Sequence, residues 1–298
     1  MRALSRMLQT AVCELESALH SRRALVLALL YLISAICCMY GTISLFGKIE
    51  TEVAKVLQLP EGGKSGVISA TLWKSESFSR MVQKGVGDDL VFADIQGLHP
   101  VELAYAWIAF MLAPFLAAWS ASNRIAEESH SGSVRYVLVR CTRAQWALGK
   151  YLGQVFMVGL ALLLGALGAW LVAAFRLGGV DVVTLLPGMM DWALRAWLYS
   201  VSWLGLALGI SQMTRSSNYA TFFAPIGVIA LDILPSLLQA DWCREWGLAN
   251  LDILSPLYSN HGLWRRSLPA VATSAFHLTV LGLFYWTVGH AVFRRRDA

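Results

Sequence analysis

Six long stretches of the chain are almost purely apolar: residues 24–46, 101–121, 149–175, 192–213, 219–238 and 270–293. A bilayer hydrocarbon core of about 30 Å is crossed by about 20 helical residues, and each stretch is of that order. The pattern therefore predicts six membrane-crossing helices. The fifth is interrupted by Pro225, Asp232 and Pro235, yet the number of crossings is even only if it is real. Ahead of the first, residues 2–21 follow a different rhythm. Leu4, Met7, Leu8, Ala11, Val12, Leu15, Ala18 and Leu19 recur at offsets of three and four, and Arg2, Arg6, Glu14, Glu16 and His20 fall on the opposite face. That spacing predicts an amphipathic helix. Placed before a crossing helix, it is expected to lie in the membrane interface with its apolar face toward lipid tails; a soluble helix packed on a partner is the alternative. The predicted fold class is an all-α membrane protein. Residues 1–23 form the amphipathic interfacial helix, and residues 24–298 form a six-helix transmembrane domain. Residues 47–100 are an extracytoplasmic insertion, and 122–148 a cytoplasmic loop.

Composition agrees, with 57% hydrophobic residues, 14% charged and 12 Trp, and a mean hydropathy of +0.56. These values lie outside the soluble range. Charge fixes the orientation. With the N-terminus inside, the inner segments carry Arg2, Arg6, Arg22, Arg23, Arg124, Arg135, Arg140, Arg143, Lys150, Arg215 and Arg294 to Arg296. They greatly outnumber the acids Glu14, Glu16, Glu127, Glu128 and Asp297, while acids prevail outside. The positive-inside rule puts both termini in the cytoplasm. The net charge of +5 is thus a topology signal, and no nucleic-acid partner is expected.

The first 20 residues lack the apolar core of a cleavable leader, so the first crossing is expected to stay. Of five cysteines only Cys243 falls in an outer segment, which gives no disulfide framework. Within 47–100, Thr71 to Lys84 reads as a short helix, with loops at Gly62-Gly63, Gly85 and Gly87. Gly63-Lys64-Ser65 imitates the end of a phosphate-binding loop, but Gln58 stands where that loop needs glycine. The chain is therefore expected to be no enzyme and to hold no ATP itself. Scattered histidines give no metal-ligand spacing, so no metal is expected. Two ionisable residues inside spans, Asp232 and His277, are candidate intramembrane polar sites. Asp232 has two readings, a structural pairing with Arg195 or a substrate role. For His277 the reading is an interhelical hydrogen bond. Gly205-x-x-x-Gly209, and Ala161, Gly165 and Ala169, predict close helix approach within a bundle or at a dimer seam. Pro114 and Pro225 predict kinks.

The most informative stretch runs from Arg124 to Lys150. The second crossing reads as continuing through Glu127-Glu128 and breaking at Ser129-His130-Ser131-Gly132. A short helix follows from Val134 to Arg140, and Thr142-x-x-Gln145 has the pattern that caps the next helix. The result is a helical hairpin tip exposing Val134, Tyr136, Val137, Leu138 and Val139 among arginines. Such a surface suits a partner better than water.

Ile125-Ala126-Glu127-Glu128, Gly132-Ser133-Val134-Arg135-Tyr136-Val137-Leu138, Arg143 and Gly149-Lys150-Tyr151-Leu152 together resemble the signature of type-2 ABC exporter permeases. The six-span plan, the amphipathic start, Leu254-Ser255-Pro256 and the ending Phe293 to Asp297 are similar too. Ser133 replaces the usual Thr, and Cys141-Thr142 stands where a Pro is frequent, which leaves the shape of that turn open. The resemblance implies a permease in a bacterial inner membrane that pairs with a second permease subunit, identical or related. It further implies a separate ABC ATP-binding subunit carrying ATP and Mg. It makes Glu127, Glu128, Gly132, Val134, Tyr136, Leu138 and Arg143 the coupling contacts. Two outputs follow. One is export of an amphiphilic substrate between two protomers. The other moves no solute and transmits motion to an extracytoplasmic partner through residues 47–100 and 240–269, where Trp242, Trp246 and Trp264 suggest interfacial helices.

Overall fold

A computed structural model of the protein describes residues 2–56, 80, 83, 88–96, 98–139, 141–177, 182–239 and 248–295. Apart from Arg80 and Gln83, the helix read at Thr71 to Lys84 lies outside the described residues, as do the glycine loops beside it, Gly63-Lys64-Ser65, Arg140, Trp242, Trp246 and the last three residues. Every described element is helical. In chain order they are α1 (Arg2–His20), α2 (Arg22–Val56), α3 (Asp89–Ile95), α4 (Pro100–Ala121), α5 (Arg124–Ser131), α6 (Val134–Leu138), α7 (Arg143–Arg176), α8 (Val182–Met213) and α9 (Ser217–Leu238). Two 3-10 turns (Leu248–Leu254, Pro256–Ser259), α10 (Asn260–Leu263) and α11 (Leu268–Arg294) complete the chain. Among the described residues six helices are long and apolar enough to cross a membrane, namely α2, α4 with α5, α7, α8, α9 and α11.

Helix ends depart from the hydropathy pattern where backbone chemistry overrides it. α2 runs ten residues past the predicted 24–46 span to Val56, because Lys48 to Lys55 contains good helix formers and no proline. The insertion assigned to 47–100 thus begins as helix. α7 begins at Arg143, ahead of Gly149, because Thr142 and Gln145 form the reciprocal cap. Thr142 takes φ −74°, a value proline also imposes, so the absence of Pro demands no different turn. α8 starts at Val182 and carries Pro187 within it. α9 is one continuous helix despite Pro225 and Pro235.

α4, α7 and α8 form the centre, around fully buried Tyr105, Leu162, Met189, Trp203, Leu204 and Leu208. Glycines set the tightest contacts. A Cβ on Gly205 would overlap the Gly282 carbonyl, and one on Gly209 would come within 2.6 Å of the Tyr285 oxygen. The Gly205-x-x-x-Gly209 seam is therefore filled by α11 of the same chain. Gly165 likewise seats Tyr31 of α2. Polar side chains inside are tied to carbonyls of neighbouring helices: the Tyr105 hydroxyl donates to Leu162 O, Tyr151 to Val201 O and Trp197 Nε1 to Val155 O. Each bond meets a demand that an apolar surrounding would otherwise leave unmet. α2, α9 and α11 flank this centre and leave most of their apolar surface bare, including Leu29, Ile33, Phe222, Phe223, Ile229, Phe276 and Phe284.

Both ends of the chain gather at one end of the bundle. Arg143 Nη1 donates to the carbonyl of Phe293 at 3.3 Å, Arg23 approaches Glu127, and Ser211 meets α5. The N-terminal helix, the hairpin tip and the close of α11 thus share one face, which is hereafter the tip end. At the opposite end Asp94 accepts from Arg265 Nε at 2.8 Å and from Arg266 N. The Arg265 hydrogen bond, opposed by partial burial, holds the Asp94 carboxyl below its usual value.

Candidate functional site

The tip is built by a left-handed stop. Gly132 ends α5 with φ +74°, a conformation that costs a residue with a Cβ roughly 1–2 kcal/mol, and α6 turns back from it. α5 is held from below, since the Ser211 hydroxyl oxygen accepts from the backbone N–H groups of Ile125 (3.2 Å) and Ala126 (3.0 Å). A side chain at the foot of α8 thus caps α5 across the fold, as an N-cap residue does locally. Asn123, at the local N-cap position, makes no cap bond.

The predicted contact residues divide into two faces. Val134 is buried in the core, and Val137 and Leu138 are half-buried against it. Val134 and Leu138 therefore brace α6, Val134 fully and Leu138 in part. Arg143 also turns inward, capping the last carbonyls of α11 and lying 5.6 Å from the Phe293 ring centre. What α6 presents outward is Arg135, Tyr136 and Val139, with Tyr136 and Val139 more than four-fifths exposed. Glu127 faces outward beside them, 3.7 Å from Arg23. Two exposed charges at that distance contribute at most about 1 kcal/mol.

Glu128 belongs to a cluster that sequence reading did not anticipate. Lys150 Nζ lies 2.5 Å from Glu128 Oε1 and 2.7 Å from Glu14 Oε2, and Gln154 Nε2 donates to Glu14 Oε1 at 3.0 Å. Arg124 Nε is 4.0 Å from the same Glu14 oxygen. Lys150 and Glu14 are almost fully buried, and Glu128 is half-buried. Three helices, α1, α5 and α7, therefore meet on one ammonium group. The spacing along α1 predicts Glu14 on the face opposite the apolar positions. It is instead seated between Ala11 and Ala18 on the side that packs against α7, while Leu8, Val12 and Leu19 remain uncovered. The seat is made by glycine, since a Cβ at Gly149 would press on Thr10, and one at Gly153 would come within 2.8 Å of Glu14 Cβ. Gly149 and Gly153 share the four-residue spacing noted elsewhere in the chain, and that was the available signal.

The two intramembrane candidates lie apart from the tip. Asp232 does not pair with Arg195, whose guanidinium donates to Asp191 Oδ2 at 2.7 Å and to the carbonyls of Leu263 and Arg265. His277 bonds the Ser259 hydroxyl at 2.5 Å, so it ties α11 to the short segments at the far end. The Leu254-Ser255-Pro256 stretch does similar work, because Ser255 Oγ donates to Leu231 O and accepts from Leu257 N. Trp264 is packed among Trp107, Phe110 and Trp192 at centroid distances of 4.9–5.6 Å. At the tip end, a cavity of about 1190 Å³ opens between α1, α2, α4, α5 and α9. Arg22, Arg23, Arg124, Glu127 and Glu128 line its polar part, and Val26, Leu30, Trp119 and Phe222 its apolar part. Among the described residues no cluster has the makings of a metal site.

No curated protein matches the chain. A family model described as ABC-2 family transporter protein matches residues 9–245, from within α1 through all of the first five spans. That match takes in the interlocked α1, α5 and α7, the tip and the central helices, and on it the chain belongs to the ABC-2 transporter family, as a multi-pass permease of the kind that works with an ABC ATP-binding subunit.

Proposed function

We propose that the chain is the membrane half of an ATP-driven exporter, with the tip end in the cytoplasm. The placement of Lys and Arg along the chain supports that orientation. The observation that carries the reading is the outward face of α6. Tyr136 and Val139 stand exposed beside Arg135, on a helix whose other side is anchored by Val134 and Leu138. An aromatic anchor beside Arg on a braced helix has the character of an interface hot spot. ATP and Mg are held by the separate subunit that docks there. Its closure pushes α6, and the push passes through Gly132, the Ser211 cap and the Lys150 cluster into α4, α7 and α8. The bare faces of α2, α9 and α11 receive the second permease subunit or lipid. The tip-end cavity, charged at one side and apolar at the other, fits an amphiphilic substrate. Its presence favours export over transmission of motion to an extracytoplasmic partner.

The test is co-purification of the ATP-binding subunit, and ATPase stimulation in liposomes, with Tyr136→Ala and Val139→Asp. Glu128→Lys is a poor probe, because it places a second cation against Lys150. Both exposed-face changes are expected to lower subunit affinity by at least about tenfold, the loss of one hot-spot residue, while leaving folding intact. Wild-type docking in both variants would overturn the reading.

A further inference from the structure

A second cavity, of about 450 Å³, lies at the end of the bundle opposite the tip. It is walled by Trp107, Phe110, Tyr199 and Trp264 and reached by Asp232 of α9. Its size falls in the range of small-molecule sites. The aromatic wall is rigid, since Phe110 is 4.9 Å from Trp264 and 5.5 Å from Tyr199 between ring centres, and Trp107 is 5.6 Å from Trp264. Trp264 is further fixed by donating to Asn260 Oδ1.

Charge decides what fits. Of the cations at this end, Arg195 pairs with Asp191 and Arg265 with Asp94, and His261 lines the same cavity. The Asp232 carboxylate makes no hydrogen bond or ion pair with the described residues, and it lines the cavity together with Tyr199. A carboxylate on a spanning helix is costly without a partner. A neutral apolar occupant would strip its water and supply nothing in return. A hard metal ion needs several oxygens, and beside Asp232 the cavity offers only Tyr199, Asn260, whose Oδ1 already accepts from Trp264, and His261. A cation with an apolar body satisfies both parts, the charge at Asp232 and the body against aromatic faces that attract cations.

We propose that this cavity binds a monovalent organic cation with an apolar body, held by Asp232 and the faces of Trp107 and Trp264. The site is separate from the tip and does not depend on how the ATP-binding subunit docks.

The experiment is equilibrium dialysis of tetraphenylphosphonium against the full chain in lipid nanodiscs, without the ATP-binding subunit and with protein-free discs subtracted. Tetraphenylborate, similar in shape and opposite in charge, is the control. Saturable binding of the phosphonium and none of the borate is expected. Asp232→Asn is expected to weaken phosphonium binding by about tenfold or more, and Asp232→Glu to retain it, as the loss of one desolvated charge contact implies. Where Asp232→Asn does not fold, Trp107→Ala reads the same site and is expected to weaken binding by a factor of several. Equal uptake of both ions, no saturable phosphonium binding, or full binding by a folded Asp232→Asn variant would each overturn the proposal. None of these would touch the docking result at Tyr136, which is read on a different complex.

Discussion

Replacing Lys150 with Met is the sharpest probe of the link between α1 and the tip. The side chain is almost fully buried, and its ammonium stands 2.7 Å from Glu14 and 2.5 Å from Glu128. Removing it leaves Glu14, 7% exposed, facing a second carboxylate. Breaking a buried pair by deleting one partner costs about 3–5 kcal/mol. Gln154, which still donates to Glu14, and Arg124, 4.0 Å away, offset part of this and place the expectation near the lower figure. Glu14→Gln in the same chain removes the stranded charge, so the double variant should recover most of the loss, because a neutral pair in a buried site is often no less stable than the ionic one. The assay is denaturant unfolding of the detergent-solubilised chain followed by circular dichroism. ATPase stimulation by the same variants reports whether the tip has lost its brace. A Lys150→Met protein within about 1 kcal/mol of wild type, the scale of an exposed pair, would refute the buried-cluster argument. So would a double variant no more stable than the single one.

Two further outcomes follow from the packing and the charges. Gly153→Val adds atoms where even a Cβ would come within 2.8 Å of Glu14; α1 should be displaced from α7, seen as faster hydrogen exchange and proteolysis confined to residues 2–20. At the far end, the Asp94 carboxyl is held below its usual value by Arg265, so the unfolded chain binds the proton more readily than the folded one. The resulting stabilisation is complete above the unfolded value of about 4 and is lost as pH falls through the lower folded value. The protection of the amides of residues 88–96, relative to their intrinsic exchange rates, should therefore fall on acidification below about pH 4, and Asp94→Asn should remove that dependence.

Hydropathy alone predicts the six spans, since an apolar run of bilayer length has few other folded uses and each run proves to be a helix. The capping pair Thr142 and Gln145 is equally legible, because caps depend on residues adjacent in the chain, whereas the break read over Ser129 to Gly132 is narrower in the fold, the helix running on to Ser131 before the left-handed Gly132. Which of the tip residues face outward is not legible. A five-residue helix has no periodicity long enough to distinguish Val134 from Val139, and only packing against the core separates the buried one from the exposed one. Glu14 shows the same limit more sharply: on a helical wheel it belongs to the polar face, but a cation more than a hundred residues away, admitted by Gly149 and Gly153, makes the interior its better place. Asp232 lost its expected partner for the opposite, local reason, because Asp191 lies one helical turn before Arg195 and pairs with it. Local sequence thus determines where helices begin, end and cross, whereas the pairing of charges between helices depends on distances that exist only once the bundle has closed.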